Sequence, residues 1–210
     1  MSHLVLLGDS VFDNAAYTGG QPDVISHVRR MLPSDWKATL GAIDGSTTDE
    51  IRSQLASLPP DATHLALSVG GNDAILRADV LEKAVTSSGE AFQLLGEVAD
   101  GFEIRYQAAV SACLATGLPL VLCTIYHGNF EDEMFRKRAI VAVTLFNDAI
   151  LRTAIDNGLV VVDLRFVCSA PIDFANPIEP STVGGEKIAR AILGAVNSEQ
   201  LNPGGARIAT

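Results

Sequence analysis

The sequence predicts an α/β protein, a three-layer α/β/α sandwich built on a five-stranded parallel sheet. Short apolar runs without polar alternation recur along the chain, and such runs are typical of strands that are covered on both faces. Segments with helical periodicity separate these runs, so that strand and helix alternate across five units. The connections between parallel strands are then expected to be right-handed crossovers.

Five apolar runs are the predicted strands. They cover residues 4–7, 38–42, 65–69, 118–125 and 159–164. The first run ends in a Gly-Asp-Ser sequence at residues 8–10, and the third ends in Gly-Gly-Asn-Asp at residues 70–73. Ligands of open parallel sheets bind beyond the carboxyl ends of the strands. Polar residues that directly follow these strands are therefore the candidates for a functional site.

Helices are predicted in the intervals between the strands. They cover residues 23–31, a segment from about 46 to the prolines at 59 and 60, residues 81–116 with a break at 87–89, residues 134–157 and residues 184–197. Ser46 or Thr47 is expected to cap the second helix, because a hydroxyl there accepts from the free N–H groups of the first turn. We interpret residues 1–200 as a single domain and residues 201–210 as a flexible tail.

The composition excludes several classes of protein. Of the 210 residues, 48% are hydrophobic, which is too many for a disordered chain, and no apolar run is long enough to span a membrane. A formal net charge of −10 disfavours nucleic-acid binding. The three cysteines fit neither a disulfide framework nor a zinc site, and the N-terminus shows no secretory signal. We therefore expect a cytoplasmic protein.

Three loops are expected to bring polar groups to the same edge of the sheet. Ser10 lies at a strand-to-helix turn, where its hydroxyl can be exposed as a nucleophile. Gly45 follows the second strand, and Asn72 follows the third. A backbone N–H and a side-chain amide next to a serine are the components of an oxyanion hole. Taken alone, a Gly-Asp-Ser sequence after a strand is more often a turn followed by a helix cap.

With these residues in this order, the sequence resembles the SGNH (GDSL) hydrolase family over nearly its whole length. The Leu-Leu-Gly-Asp-Ser run looks like the first block of that family, with Ser10 as the nucleophile. The region of Gly45 is similar to the second block, and Gly-Gly-Asn-Asp looks like the third, so that Gly45 and Asn72 would donate to the oxyanion. The resemblance implies a flavodoxin-like fold, a small-molecule ester or acyl substrate, and neither a metal nor a cofactor.

The fourth block departs from the family pattern, in which an Asp-x-x-His motif supplies the base and its orienting acid. Here Glu179 stands at the histidine position and Asn176 at the aspartate position. A glutamate has a reference pKa about two units below that of histidine, but burial raises the pKa of a carboxyl. Our hypothesis is a Ser10–Glu179 dyad in which Asn176 donates a hydrogen bond to the carboxylate.

Other polar residues near this edge leave alternatives open. His127 follows the fourth strand and is either the base, a substrate contact or a loop histidine bonded to the backbone. Asp9 and Asp73 are expected to brace their loops through backbone N–H groups. We place Asp9, Asp73, His127 and Asn176 on the substrate-binding side of the site.

These observations predict a serine ester hydrolase with an unusual base. Two alternatives keep the same fold and pocket, namely an acyltransferase and a catalytically impaired family member that binds a ligand. A flavodoxin-like nucleotide binder is disfavoured, because residues 8–10 lack a glycine-rich phosphate loop. The sequence leaves open the identity of the substrate and the oligomeric state.

Overall fold

The computed structural model describes residues 2–201 and 206–209, and a single parallel sheet lies at its centre. The strands are β1 (Ser2–Gly8), β2 (Trp36–Leu40), β3 (His64–Ser68), β4 (Leu120–Cys123), β5 (Val160–Val162) and β6 (Arg207–Ala209). Their order is β2-β1-β3-β4-β5-β6, and every neighbouring pair is parallel. The predicted parallel sheet is confirmed, with six strands instead of five.

Helices cover both faces of the sheet. They are α1 (Val24–Met31), α2 (Ile51–Ala56), α3 (Gly71–Ile75), α4 (Ser88–Leu114), α5 (Glu133–Asp156), α6 (Leu164–Val167) and α7 (Thr182–Leu201). One hydrophobic core joins the sheet to α1, α6 and α7, and a second core joins its other face to α2, α4 and α5. Among the helices in the described part of the chain, none has both the length and the hydropathy that a bilayer crossing requires.

The burial of β1 on both faces of the sheet explains why its sequence is an unbroken apolar run. Leu4 and Leu6 belong to the core beneath α1 and α7, whereas Val5 and Leu7 belong to the core beneath α4 and α5. All four side chains are at most 1% exposed. Each such burial contributes about 1.5–3 kcal/mol to the hydrophobic stabilisation. The side chains of alternate residues therefore pack against the two helical layers, one on each face of this central strand.

The predicted helix over residues 81–116 is interrupted in the structure. Its main part is α4, which begins after Ser87, and the side chain of Ser87 accepts a hydrogen bond from the N–H of Glu90 at 3.1 Å. The preceding residues form only a short 3₁₀ helix, Ala78–Glu82. The predicted break is confirmed, but the prediction of a regular helix before it is wrong, because Ser87 caps the new helix instead of continuing an older one.

The C-terminal segment also differs from its prediction. The helix α7 extends to Leu201, and Arg207–Ala209 pair in parallel with β5. The interpretation of residues 201–210 as a tail did not anticipate this pairing. The reason is that an edge strand offers unpaired N–H and C=O groups, which even a short extended segment can pair. Residues 202–205 and 210 lie outside the described residues.

Candidate active site

Ser10 lies at the carboxyl end of β1, and it makes the central contact of the site. Its hydroxyl donates a hydrogen bond to Oε1 of Glu179 at 3.0 Å, across 169 positions of sequence. Ser10 is 7% exposed and Glu179 is 5% exposed. The geometry places a carboxylate within proton-transfer reach of a serine hydroxyl, as general-base catalysis requires.

The segment that carries Glu179 is held in place by its own backbone and by a neighbouring loop. The N–H of Ala175 donates to the carbonyl of Glu179 at 2.8 Å, and Phe174 and Pro180 form an antiparallel bridge. The hydroxyl of Tyr126 donates to the carbonyl of Ile178 at 2.6 Å. These bonds restrict the loop, so the carboxylate reaches Ser10 from a fixed backbone.

Asn176 acts on this backbone and does not orient the carboxylate by the hydrogen bond that we predicted. Its Oδ1 accepts hydrogen bonds from the N–H groups of Ile178 and Glu179, both at 2.9 Å. An asparagine oxygen that accepts from residues two and three positions ahead forms a local Asx turn. Asn176 therefore positions Glu179 through the main chain.

The environment of Glu179 favours its neutral form more than water does. Burial raises its pKa to about 7, the hydrogen bond from Ser10 opposes this rise, and the negative charge of Asp44 adds to it. The second carboxylate oxygen, Oε2, is buried and has no hydrogen-bond partner among the described residues. A glutamate with this pKa is close in basicity to an ordinary histidine, whose reference pKa is about 6.5.

Three candidate N–H donors lie beyond the carboxyl ends of the first three strands. Ser10 and Asn72 line the cavity, whereas Gly45 is not part of its wall. Within the described part of the chain, neither the backbone N–H of Ser10 nor that of Gly45 has an acceptor. Gly45 has a φ of +81°, which favours glycine. The amide of Asn72 donates one hydrogen to the carbonyl of Ser46 at 2.9 Å. That bond ties the two loops together and leaves the second hydrogen of the amide for another acceptor.

Asp9 and Asp73 brace the loops as predicted. Oδ1 of Asp9 accepts from the N–H of Val11 at 3.1 Å. Asp73 accepts from the N–H of Thr48 at 3.0 Å and from its hydroxyl at 2.7 Å. Asp9 lines the cavity next to Ser10, whereas Asp73 does not lie on the cavity wall. The structure thus separates these acids into one at the site and one behind it.

His127 lies on the wall of the same cavity as Ser10 and Glu179. Its imidazole makes no hydrogen bond to the described residues, so the alternative of a backbone-bonded loop histidine does not hold there. Burial and the positive charge of Arg165 lower its pKa, and the charge of Asp163 opposes them. His127 therefore lies on the cavity wall as a polar group whose protonated form is disfavoured.

The cavity beside Ser10 is mainly apolar, and this feature was missed in the sequence. Its volume is about 120 Å³. Its apolar wall includes Val69, Ile75, Val80, Leu81, Leu95, Val98, Ile125, Phe130, Phe135, Val143, Phe146 and Ile178. These residues come from the segment after β3, from α4 and α5, and from the loops after β4 and before α7. The available signal was the apolar character of both long helices.

Comparisons with known proteins agree with this geometry. The model of the GDSL-like Lipase/Acylhydrolase family matches residues 6–182. No curated protein matches the sequence. The fold is similar to that of an extracellular lipase from Streptomyces rimosus, with a TM-score of 0.69 and 14% identity over 94% of this chain and 99% of that one.

Two further solved structures are similar to the same extent. Phospholipase A1 from Streptomyces albidoflavus has a TM-score of 0.67 and 17% identity over 94% of this chain and 98% of that one. The acetyl xylan esterase AlAXEase has a TM-score of 0.67 and 17% identity over 92% of this chain and 99% of that one. At such identities the likeness shows a shared fold.

Proposed function

Because the chain belongs to the GDSL-like lipase/acylhydrolase family, we propose that it hydrolyses carboxylic esters with Ser10 as the nucleophile and Glu179 as the general base. The observation that carries this proposal is the 3.0 Å hydrogen bond from the Ser10 hydroxyl to Glu179. The names of the similar structures, a lipase, a phospholipase and an acetyl xylan esterase, support an ester as the substrate.

The proposed reaction proceeds through an acyl-enzyme. Oγ of Ser10 attacks the ester carbonyl carbon while its proton passes to Glu179. The backbone N–H groups of Ser10 and Gly45 and the second amide hydrogen of Asn72 stabilise the resulting oxyanion. When the C–O bond to the alcohol breaks, Glu179 returns the proton to the leaving oxygen. Water then attacks the acyl-enzyme with Glu179 as its base, and the carboxylic acid is released as the Ser10 hydroxyl is restored.

The raised pKa of Glu179 explains how a carboxylate can act as the base. An ordinary glutamate is about two pKa units less basic than histidine. Burial in the cavity wall raises the pKa of Glu179 to about 7. The higher pKa makes Glu179 about as basic as a histidine. It also allows the same group to hold the proton and later donate it to the leaving oxygen.

The cavity supports an ester with an apolar acyl chain as the substrate. The acyl carbon must lie beside Ser10, and the space next to Ser10 is lined mainly by apolar side chains. About 0.8 kcal/mol of binding free energy accompanies each methylene that enters such a site. His127 and Asp9 line the same cavity, and we assign them polar contacts near the scissile ester.

The proposal is tested with p-nitrophenyl esters and with a fluorophosphonate that labels activated serines. We expect the wild-type protein to hydrolyse the ester and to be labelled at Ser10, and we expect Glu179→Gln to lose at least about a hundredfold in kcat, the lower range for a general base. The matched comparison is His127→Gln, which removes the other candidate base from the same cavity and should lose less kcat than Glu179→Gln, because His127 is assigned a substrate contact and not the proton transfer.

Other outcomes distinguish the alternatives. Full activity in Glu179→Gln together with its loss in His127→Gln would transfer the role of base to His127. An unlabelled Ser10 and no ester cleavage in the folded wild-type protein would contradict the hydrolase proposal and favour a ligand-binding protein. Acyl products formed with an added alcohol in preference to water would indicate an acyltransferase.

A further inference from the structure

Asp9 is a second buried carboxyl on the wall of the cavity that holds Ser10 and Glu179, and we propose that it is a positioning residue whose negative charge opposes the ionisation of Glu179. The inference rests on the proposed function, since it concerns the group that acts there as the base. It goes further by assigning Asp9 an electrostatic effect on the base, in addition to its brace for the loop and to the polar contact proposed above.

The first step of the argument is the confinement of the Asp9 side chain. Asp9 is 2% exposed. The N–H of Val11, at 3.1 Å from Oδ1, is the group in the described residues that donates to its carboxyl. Asp9 also lines the cavity that contains Ser10 and Glu179. A carboxylate in this position loses its hydration, and the hydrogen bond from Val11 replaces only part of what it loses.

The second step is the charge around Asp9. Burial raises its pKa to about 7, its hydrogen bond with Val11 opposes this, and the negative charges of Glu179 and Asp73 raise it further. Cys123 and Tyr126 are its other titratable neighbours, and burial raises the pKa of each, which keeps both neutral. The guanidinium of Arg105 lies 3.7 Å from Asp73, and among the described residues no cation forms an ion pair with Asp9.

The third step is the charge around Glu179. Asp44 and Tyr17 face it from the loops beyond β2 and β1, and the hydroxyl of Tyr17 donates to Asp44 at 2.7 Å. Tyr126 faces it from the loop after β4, where His127 also lines the cavity. Arg77 lines the same cavity from the segment after α3. Among the described residues, no cation forms an ion pair with Glu179 or with Asp9.

The two carboxyls therefore oppose each other's ionisation. Repulsion between like charges is mutual, so the effect of Glu179 on Asp9 is also an effect of Asp9 on Glu179. Two such groups lose their protons in two steps that belong to the pair. After the first step the single negative charge is divided between Asp9 and Glu179. Glu179 is fully available as a base only after the second step, at higher pH.

The test compares pH profiles of kcat/KM for a p-nitrophenyl ester. We expect the activity of the wild-type protein to rise over a broad pH interval, as for two coupled groups. In Asp9→Asn, which keeps an oxygen acceptor for the N–H of Val11, the acid limb should move to lower pH by about half a unit or more and become narrower.

Asp44→Asn is the matched control, because Asp44 also acts on Glu179 but is exposed to solvent. Its shift should be smaller than that of Asp9→Asn and should disappear near 1 M salt, where the Debye length is about 3 Å. The shift in Asp9→Asn should persist in salt, because the charge that it removes is buried.

A reciprocal measurement is independent of the folding of Asp9→Asn. In protein labelled with ¹³C at the aspartate carboxyls, we expect the NMR titration of Asp9 to move to lower pH in Glu179→Gln. An unmoved Asp9 titration, or an unmoved acid limb in folded Asp9→Asn, would overturn this inference and leave the proposed function intact. An active Glu179→Gln would instead overturn the proposed base.

Discussion

Glu179 and Asn176 lie three positions apart in one loop, yet only the contact of Glu179 with Ser10 was predictable from sequence. The distance of Glu179 from Ser10 follows from the order of the strand ends, because both residues lie at the carboxyl edge of the sheet. The bonding of Asn176 is a local choice between two partners. Its oxygen is nearest to the N–H groups of its own loop, and it accepts from two of them. The sequence spacing alone does not show whether Asn176 bonds to the Glu179 carboxylate or to the backbone N–H groups of its loop.

The buried carboxyl of Glu179 has a consequence for stability that can be measured. Its pKa is 4.5 when unperturbed and about 7 in the folded protein. Below pH 4.5 the group is protonated in both states and has no effect. Between pH 4.5 and 7 the unfolded chain ionises while the folded protein does not, so folding is progressively destabilised, by up to about 3 kcal/mol at pH 8.

We therefore expect Glu179→Gln to raise the free energy of unfolding at pH 8 and to have little effect near pH 4.5. Urea denaturation at the two pH values measures the difference. Ser10→Ala is the control, since it removes the hydroxyl that contacts Glu179 but keeps the buried carboxyl, and it should not be stabilised at pH 8. Equal stability of Glu179→Gln and the wild-type protein at pH 8 would contradict this account.

At the scale of elements, the sequence predicted the long helices but not the cleft that they form. Periodicity identifies the apolar face of a helix without showing what covers it. In α4 and α5 the apolar face serves two purposes. Val98 and Phe146 belong to the core and also line the cavity, whereas Phe135, nearer the start of α5, lines the cavity without belonging to the core. Whether an apolar residue of these helices packs in the core or lines the cavity therefore depends on how far the helix extends past the edge of the sheet.

The helix α5 offers a test of the acyl cavity. Ala142 lies on the cavity wall, and its neighbour Val141 is 55% exposed and lies outside that wall. We expect Ala142→Phe to fill part of the cavity and to lower kcat/KM for a dodecanoate ester by about fifteenfold, the effect of excluding two methylenes. Activity on the acetate ester should change by less than about twofold on the same reasoning. Val141→Phe should leave both activities near wild type, and an equal loss on both esters in Ala142→Phe would contradict this position for the acyl chain.

At the scale of the whole molecule, alternation of strand and helix was sufficient to predict the three layers. The strand β6 was missed because Arg207–Ala209 is short and follows a segment with proline and two glycines. Its Ile208 is 58% exposed, so no apolar pattern marks it as part of a core. Pairing with the backbone of β5 defines this strand, and backbone pairing leaves little trace in the side chains.

The net charge of −10 leads to a prediction about substrate association. The charge of Asp44 acts on Glu179, and Asp13 accepts a hydrogen bond from the N–H of Asp44, so acids border the part of the molecule where Ser10 and Glu179 meet. A field of one sign raises the association rate of an oppositely charged ligand by about tenfold or more at low salt. Butyrylcholine should therefore show a higher kcat/KM than the neutral 3,3-dimethylbutyl butyrate, which has the same acyl chain and nearly the same shape.

The ratio of the two kcat/KM values should fall towards one between about 0.01 M and 1 M salt, as the Debye length decreases from about 30 Å to 3 Å. Asp44→Asn should lower the ratio at low salt. A ratio that is near one at low salt, or one that salt does not change, would show that the acidic surface does not act on the reacting substrate.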